Sequence, residues 1–150
     1  MEVPALPNPF FPKIEEWVPF LSGVVKEADE HTYFVGHSTG CQTILRYLES
    51  LPANVKIGGA ILVAPFLELY DLEKEFMKPW LETAIDFEKI KLHADNIVTI
   101  FSENDFMVPI KNKELFEKSL SAKAVVVKNY NHFITMKELP LVLKEVEKWL

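Results

Sequence analysis

A serine lies between two glycines in the stretch GHSTG, residues 36–40, where it could serve as a nucleophile. The run TYFV stands directly before this stretch, and the helical pattern CQTILRYL follows it. A nucleophile elbow needs this order of strand, sharp turn and helix, because the turn lifts the serine hydroxyl above the carboxyl edge of a sheet. The order predicts Ser38 as nucleophile and the backbone N–H of Thr39, at the helix start, as an oxyanion donor. The alternative is an ordinary turn in which Ser38 only caps the helix.

A serine hydroxyl is a weak nucleophile and needs a base, for which histidine is the usual choice. Of the four histidines, only His132, in VVVKNYNHF, closely follows a predicted strand and so shares the carboxyl edge with Ser38. His31 and His93 precede strands and belong at the opposite edge, while the side chain of His37 is expected to point away from that of Ser38. The sequence therefore predicts His132 as the base. The alternative is a loop histidine without a special role.

The base must in turn be oriented by an acid. Asp105 lies in FSENDFMVP, a few residues beyond the predicted strand NIVTIF, and is expected at the same edge. Glu103 is a less favoured stand-in. A turn-forming role is the alternative for Asp105, since Asn-Asp before a proline-containing loop is a common turn composition. The chain order Ser38, Asp105, His132 is the one that α/β-hydrolases use.

The elements that must position these residues alternate between short apolar runs and helical patterns. Pro19 and Gly23 interrupt the helical spacing of residues 14–25, which indicates two short helices there, and residues 66–92 are predicted to be mostly helical. Strands are predicted at 32–36, 60–64, 96–101 and 123–127. This alternation predicts an α/β fold for residues 1–150, with one domain built as a three-layer α/β/α sandwich around a mostly parallel sheet.

Composition excludes several classes of protein. The net charge of −6, with no cluster of lysine or arginine, argues against a nucleic-acid partner, because phosphate binding needs a concentrated positive surface. No apolar run approaches the roughly 20 residues that span a bilayer, so no membrane partner is expected. Cys41 is the only cysteine, which rules out an internal disulfide and fits a cytoplasmic location. The sequence has no CxxC, no HExxH and no lysine-containing phosphate loop, so no cofactor or metal is expected.

An acyl-transfer site also needs an apolar slot beside the nucleophile. Apolar residues follow both the strand AILVA and the candidate acid, and plain core packing is the alternative for most of them. A small acyl ester or amide is the substrate that such a slot would accept. The predicted substrate-binding residues are Phe66, Leu67, Trp80, Phe106 and Met107.

Several stretches of the chain together resemble the small α/β-hydrolase-fold serine hydrolases of the retinoblastoma-binding protein 9 type. The resemblance implies a serine hydrolase in which the family's nucleophile, acid and base fall on Ser38, Asp105 and His132. The stretches extend from residue 6 to the C-terminus: LPNPFFPKIEEWV, TYFVGHSTGCQTILRYLE, GAILVAPF, DFEKIK, FSENDFMVP, NHF and ELPLVL.

The resemblance also implies a segment that this chain lacks. Proteins of this type begin with a further strand, a His-Gly turn that supplies a second oxyanion N–H, and a helix, so the chain would have a truncated α/β-hydrolase fold. Losing one oxyanion donor typically lowers turnover by about 10²–10³. The edge near residues 32–36 would also lack a neighbouring strand. We expect either that residues 2–6 pair with this edge or that two chains cover each other's edge in a homodimer.

Three interpretations of function follow from the sequence. The first is a serine hydrolase that transfers the acyl group of an ester or amide to water. The second is a catalytically weak or inactive hydrolase-like protein that acts as a protein-binding module, which the missing oxyanion element suggests. The third is a shortened form of a longer hydrolase.

Overall fold

The computed structural model describes residues 1–149, apart from the side chains of Leu72 and Glu73. Its centre is a four-stranded sheet in which every neighbouring pair is parallel and the strand order follows the chain. Each strand lies within one residue of its predicted position, and the second and third strands are completely buried, as is typical of a parallel sheet covered on both faces. The strands are β1 (Tyr33–His37), β2 (Gly59–Val63), β3 (Ile97–Ser102) and β4 (Lys123–Val127).

Helices connect and cover the strands. Residues 14–25 form one helix rather than the predicted two, because Pro19 is exposed and water can bond the Glu15 carbonyl that the proline leaves without a partner. The stretch 66–92, predicted to be mostly helical, holds two short helices and most of a third, which ends at His93, and turns join them. The helices are α1 (Ile14–Val25), α2 (Thr39–Glu49), α3 (Asp71–Lys74), α4 (Lys78–Glu82), α5 (Phe87–His93), α6 (Asn112–Leu120) and α7 (Pro140–Val146).

The side chains of β1, which alternate between the two faces of the sheet, show that helices cover both faces. The Phe34 ring lies 5.5 Å from that of Tyr47 in α2. The Tyr33 ring points to the opposite face, where it stacks 6.1 Å from Trp149, just beyond α7. Successive residues of a strand point to opposite faces, so α2 and α7 belong to different layers. The predicted three-layer α/β/α arrangement around a parallel sheet is confirmed.

β1 lies at one edge of the sheet, and β2 is its hydrogen-bonded neighbour. In the described part of the chain, no strand covers its other side, and Val35 is 53% exposed. The expectation that residues 2–6 pair with this edge is wrong, because they form no strand. The chain just after them is instead held at α1, where Trp17 Nε1 donates to the Pro7 carbonyl at 2.7 Å. The homodimer through this edge stays a prediction.

The carboxyl ends of the four parallel strands meet at one edge of the sheet. Two of the segments that leave this edge are central to the site. We call residues 103–111 the acid loop and residues 128–139 the base loop; neither contains a strand, and helices follow both. Among the described residues, no helix is long and apolar enough to cross a membrane.

Candidate active site

Ser38 occupies the sharp turn between β1 and α2. Its φ of 52° and ψ of −118° lie in a region that residues other than glycine rarely adopt. Two hydrogen bonds hold this backbone: the Ser38 N–H donates to Val63 O, and the Ser38 carbonyl accepts from Cys41 N–H, both at 2.9 Å. A strained serine at the strand-to-helix turn is the geometry of a nucleophile elbow.

The two glycines of GHSTG have different surroundings. A Cβ at Gly36 would lie 2.6 Å from Cδ1 of Ile44 and 3.0 Å from the backbone of Gly40 and Cys41, so α2 crosses β1 too closely for a side chain there. A Cβ at Gly40 would meet nothing within 4 Å. The close approach of helix and sheet therefore explains the glycine at position 36 but not the one at position 40.

Cys41 anchors the start of α2 in the core. Its side chain is completely buried, and its thiol donates to the Val63 carbonyl at 3.3 Å. Burial raises the pKa of the Cys41 thiol far above its ordinary value. Residues 41–48 are buried without interruption, so this helix is enclosed on all sides.

His132 contacts both of the other residues that the sequence predicts to be catalytic, Asp105 and Ser38. Its Nδ1 lies 2.8 Å from Oδ2 of Asp105, and its Nε2 lies 3.0 Å from Oγ of Ser38. The side chains of His132 and Asp105 are each 3% exposed, so they are shielded from water. Three residues from three separate turns thus form one continuous line of hydrogen bonds at the carboxyl edge.

Asp105 sets the tautomer of the imidazole. Its Oδ1 accepts the N–H groups of Met107 at 2.8 Å and Val108 at 2.9 Å, which leaves Oδ2 for His132. A carboxylate only accepts hydrogen bonds, so Nδ1 of His132 carries a proton and donates it to Oδ2. Nε2 is then free to accept the hydroxyl of Ser38, which is the arrangement that a general base requires.

Glu103 and Thr39 complete the residues that the sequence proposed for the chemistry. Glu103 is exposed, and its backbone N–H donates to Val127 O at 2.9 Å, while Asp105 holds the position of the acid. Thr39 is the first residue of α2, directly after Ser38. The first N–H groups of a helix have no partner within it, so the Thr39 N–H is available to an acceptor beside the serine.

A set of polar side chains that sequence reasoning missed ties the acid loop to the base loop. Asn104 Oδ1 accepts from Ser102 Oγ at 2.8 Å and from Asn131 N–H at 3.1 Å, and Asn104 Nδ2 donates to Asn131 Oδ1 at 2.7 Å. The Tyr130 N–H donates to Ser102 Oγ at 3.1 Å. These bonds position the backbone just before His132. Asparagines beside both Asp105 and His132 were the signal in the sequence.

His37 is a second residue whose contact with the site the sequence reasoning missed. Its side chain was expected to point away from that of Ser38, and its ring centroid lies 4.9 Å from that of His132. Its Nε2 lies 2.8 Å from the His132 carbonyl oxygen and donates to it. Burial lowers the pKa of His37, and nearby His132 lowers it further.

The five predicted substrate-binding residues do not share one surface. Phe106 is 60% exposed, and its ring lies 6.2 Å from that of His132, so it adjoins the site. Leu67 and Met107 are half-buried beside the loops that follow β2 and β3. Phe66 and Trp80, at 1% and 2% exposed, are core residues, and their predicted place on a substrate surface is wrong. Trp80 Nε1 donates to the Pro12 carbonyl at 3.0 Å, so this ring packs beneath the N-terminal segment.

Residues 7–139 match the family described as Serine hydrolase. The chain is 32% identical over 129 residues to the protein YdeN of Bacillus subtilis, which covers 86% of this chain and 67% of YdeN. It is 28% identical over 133 residues to serine hydrolase RBBP9 of Rattus norvegicus, which covers 85% of this chain and 66% of that protein. The chain thus spans about two thirds of the length of these two relatives.

Solved structures agree with the sequence relatives. The crystal structure of the ydeN gene product superposes with a TM-score of 0.89 at 30% identity, covering 97% of this chain and 80% of the other. Naproxen esterase (carboxylesterase NP) from Bacillus subtilis shares the fold, with a TM-score of 0.64 at 14% identity over 96% of this chain and 68% of the other. The predicted α/β-hydrolase-like fold and the resemblance stated from the motifs are both confirmed. The chain belongs to the Serine hydrolase family.

Proposed function

We propose that this protein hydrolyses ester or amide bonds, with Ser38 as nucleophile, His132 as general base and Asp105 as the acid that orients it. The observation that carries the proposal is the unbroken line of hydrogen bonds from Asp105 through His132 to Ser38, at 2.8 and 3.0 Å. A nucleophile within reach of a base, and a base held by a third group, are the marks of covalent acyl transfer.

The reaction would proceed in two halves. Oγ of Ser38 attacks the substrate carbonyl carbon while its proton passes to Nε2 of His132, and the Thr39 N–H donates a hydrogen bond to the developing oxyanion. The intermediate then collapses: the bond to the leaving alcohol or amine breaks, and that group takes the proton from Nε2. Water adds to the acyl-serine by the same steps, which releases the carboxylic acid and restores Ser38.

Asp105 contributes by holding the imidazole. Its bond to Nδ1 keeps Nε2 unprotonated and aimed at Ser38, and its charge stabilises the imidazolium that forms during attack. The backbone bonds from Met107 and Val108 keep the carboxylate in place, so little rearrangement is needed when the proton moves.

The proposed substrate is a small ester or amide with an apolar group. Phe106 supports this choice, because a large, exposed aromatic ring beside His132 offers apolar contact next to the reacting atoms. Half-buried Met107 and Leu67 would extend that surface. The choice between ester and amide can be tested with p-nitrophenyl acetate and p-nitroacetanilide, because both release chromogenic products.

Labelling with a fluorophosphonate tests the proposal directly. The wild type and Ser22→Ala, which alters an exposed serine of α1, should both gain one covalent adduct by intact-mass spectrometry at about pH 8. Ser38→Ala should gain none. A folded wild type that stays unlabelled, or a Ser38→Ala variant that labels as fast as the wild type, would contradict the proposal. An unlabelled wild type would favour a hydrolase-like binding module instead.

Two expectations from the sequence belong to the same proposal: a homodimer through β1 and a cytoplasmic location. The exposed Val35 on the edge strand supports the homodimer, because apolar edge strands invite pairing with another chain. Light scattering coupled to gel filtration should give the mass of a dimer, which Val35→Glu should reduce to that of a monomer. A monomeric wild type would count against the pairing, and cell fractionation tests the location.

A further inference from the structure

His37 joins the strand that carries the nucleophile to the backbone of the base. It is the last residue of β1, directly before Ser38. From there its Nε2–H donates to the carbonyl oxygen of His132 at 2.8 Å. Its ring also packs at 4.9 Å from that of His132 and at 6.5 Å from that of Phe133. One side chain thus contacts the ring, the carbonyl and the next residue of the base.

We propose that His37 is a positioning residue, which as a neutral hydrogen-bond donor holds the backbone of His132 and with it the distance between the base and Ser38. The inference rests on the proposed function, because it names what keeps that catalytic pair together.

The base loop needs such support, because no regular structure holds it. Asn131 and Phe133, the neighbours of His132, have φ angles of 49° and 60°, a left-handed region that costs energy for residues with a side chain. Such a conformation persists only where surrounding contacts fix it. The Asn104 side chain fixes the backbone at Asn131, on one side of the base. His37 fixes the His132 carbonyl on the other side. The two contacts therefore hold the backbone just before and just after the His132 side chain.

The charge state of His37 matters because the neighbouring ring must gain a proton. A cationic His37 would still donate to the carbonyl, yet its charge would oppose the imidazolium that forms on His132 during attack. Although part of the His37 side chain is exposed, the burial of the rest lowers its pKa most, and the charge of His132 lowers it further. The hydrogen bond to the His132 carbonyl and the carboxylate of Asp105 act in the opposite direction. Those are the titratable groups that act on the ring, and burial has the largest effect, which favours the neutral donor.

Two substitutions at His37 separate the effect of its hydrogen-bond donor from the effect of its aromatic ring. His37→Gln keeps a neutral N–H donor at similar reach, whereas His37→Phe keeps an aromatic ring without a donor. His31→Phe is the matched control, because His31 is exposed before β1, at the opposite edge of the sheet. Steady-state kinetics with p-nitrophenyl acetate across about pH 5.5–9 give kcat and KM for each protein.

His37→Phe should lower kcat by about 10- to 100-fold and change KM little, since a shift of the base misplaces the proton acceptor without altering the substrate surface. His37→Gln should restore kcat to within about threefold of the wild type and keep the acidic limb of its pH profile, because it restores the bond and adds no charge. Equal kcat values for His37→Phe and the wild type, or an equal loss in both variants, would overturn the inference.

Hydrogen exchange provides a readout that does not depend on activity. Amides of residues 128–139 should exchange faster in His37→Phe than in the wild type, and at the wild-type rate in His37→Gln and His31→Phe. This result would support the positioning contact even in a protein that a fluorophosphonate does not label, where only the proposed function would fail. Unchanged exchange in His37→Phe would overturn the inference in an active enzyme.

Discussion

The proposed nucleophile and the proposed base reach the same point from two very different regions. Ser38 stands between a strand and a helix whose residues 41–48 are all buried, and its turn is closed by backbone bonds to Val63 and from Cys41. His132 stands in the base loop, where residues 134–138 are exposed and no strand or helix is present. The serine is carried by a turn between two core elements, whereas the buried His132 is carried by a loop that lies largely on the surface.

The difference shows two ways to fix a side chain. Close packing supports the turn of Ser38, because α2 lies so near Gly36 that a Cβ there would be 2.6 Å from Cδ1 of Ile44. Directional polar bonds from Asn104 and His37 hold the base, and such bonds can be removed with little loss of buried apolar area. Changes in the elbow should therefore cost folding and activity together, whereas changes around the base loop should cost activity alone.

The largest effect is expected at the junction of the two regions. Asp105→Asn should lower kcat by about 10⁴-fold, because the new amide can donate toward Nδ1 and so favours the tautomer with a proton on Nε2. The free energy of unfolding should change little, since Asn can keep accepting from Met107 and Val108. Ester hydrolysis and urea unfolding measure the two effects, and activity near the wild-type level would contradict the assigned role.

Substitution of the two glycines beside Ser38 tests whether packing supports this turn. Gly36→Ala should destabilise the fold by about 1–3 kcal/mol and slow labelling of Ser38, because the added methyl must displace Ile44 and the backbone of α2. Gly40→Ala has open space and should be neutral or stabilise by up to about 1 kcal/mol, since alanine favours a helix. Urea unfolding measures the change in stability for each variant. Equal effects of Gly36→Ala and Gly40→Ala would contradict the claim that only Gly36 is closely packed.

Substitution of Asn104 tests whether polar bonds hold the base loop. Asn104→Ala should lower kcat by about tenfold, the equivalent of about 1.4 kcal/mol, because it removes bonds to the backbone and side chain of Asn131. Asn96→Ala is the matched control: Asn96 makes one side-chain bond, to the Gly58 carbonyl at 3.0 Å, just before β3. The control should keep its kcat. A larger loss of kcat in Asn96→Ala than in Asn104→Ala would exclude the asparagine contact as the cause.

The smallest effect concerns α7, which follows the base loop. Glu145 is buried, and Lys123 and Lys148 donate to it at 2.9 and 2.6 Å. The bond from Lys148 lowers the pKa of Glu145 most, and that from Lys123 lowers it further. Its stabilising contribution is therefore complete above the unfolded pKa of about 4.3 and is lost as the pH falls through the lower folded pKa.

Glu145→Gln should reduce the free energy of unfolding at neutral pH by at most about 1 kcal/mol, because both lysines are solvated. The difference from the wild type should shrink below about pH 4.3, where the carboxylate takes up a proton. Urea titrations at several pH values measure it, and a difference that stays constant down to the acid transition would contradict this account.

The sequence predicted the parts of the site that depend on strand ends. Ser38, Asp105 and His132 each follow an apolar run, and parallel strands bring such positions to one edge whatever the loops do. The contacts of Asn104 and His37 depend on the path of the base loop, which no periodicity encodes. Trp80 and Phe106 are both aromatic residues that follow buried strands in the sequence. Tertiary contacts of Trp80 with the Trp17 ring and the Pro12 carbonyl, which no sequence pattern encodes, separate the core ring from the exposed one.

Because Cys41 is buried, the reactivity of its thiol measures how often the structure around α2 opens. A thiol with no solvent access and an undissociated sulfur cannot react with an alkylating reagent while α2 rests on the sheet. It is also the only sulfhydryl in the chain, so each modified molecule records one departure of the elbow from its closed form. The rate of thiol modification under native conditions therefore reports how often the packing around α2 opens, without any introduced cysteine.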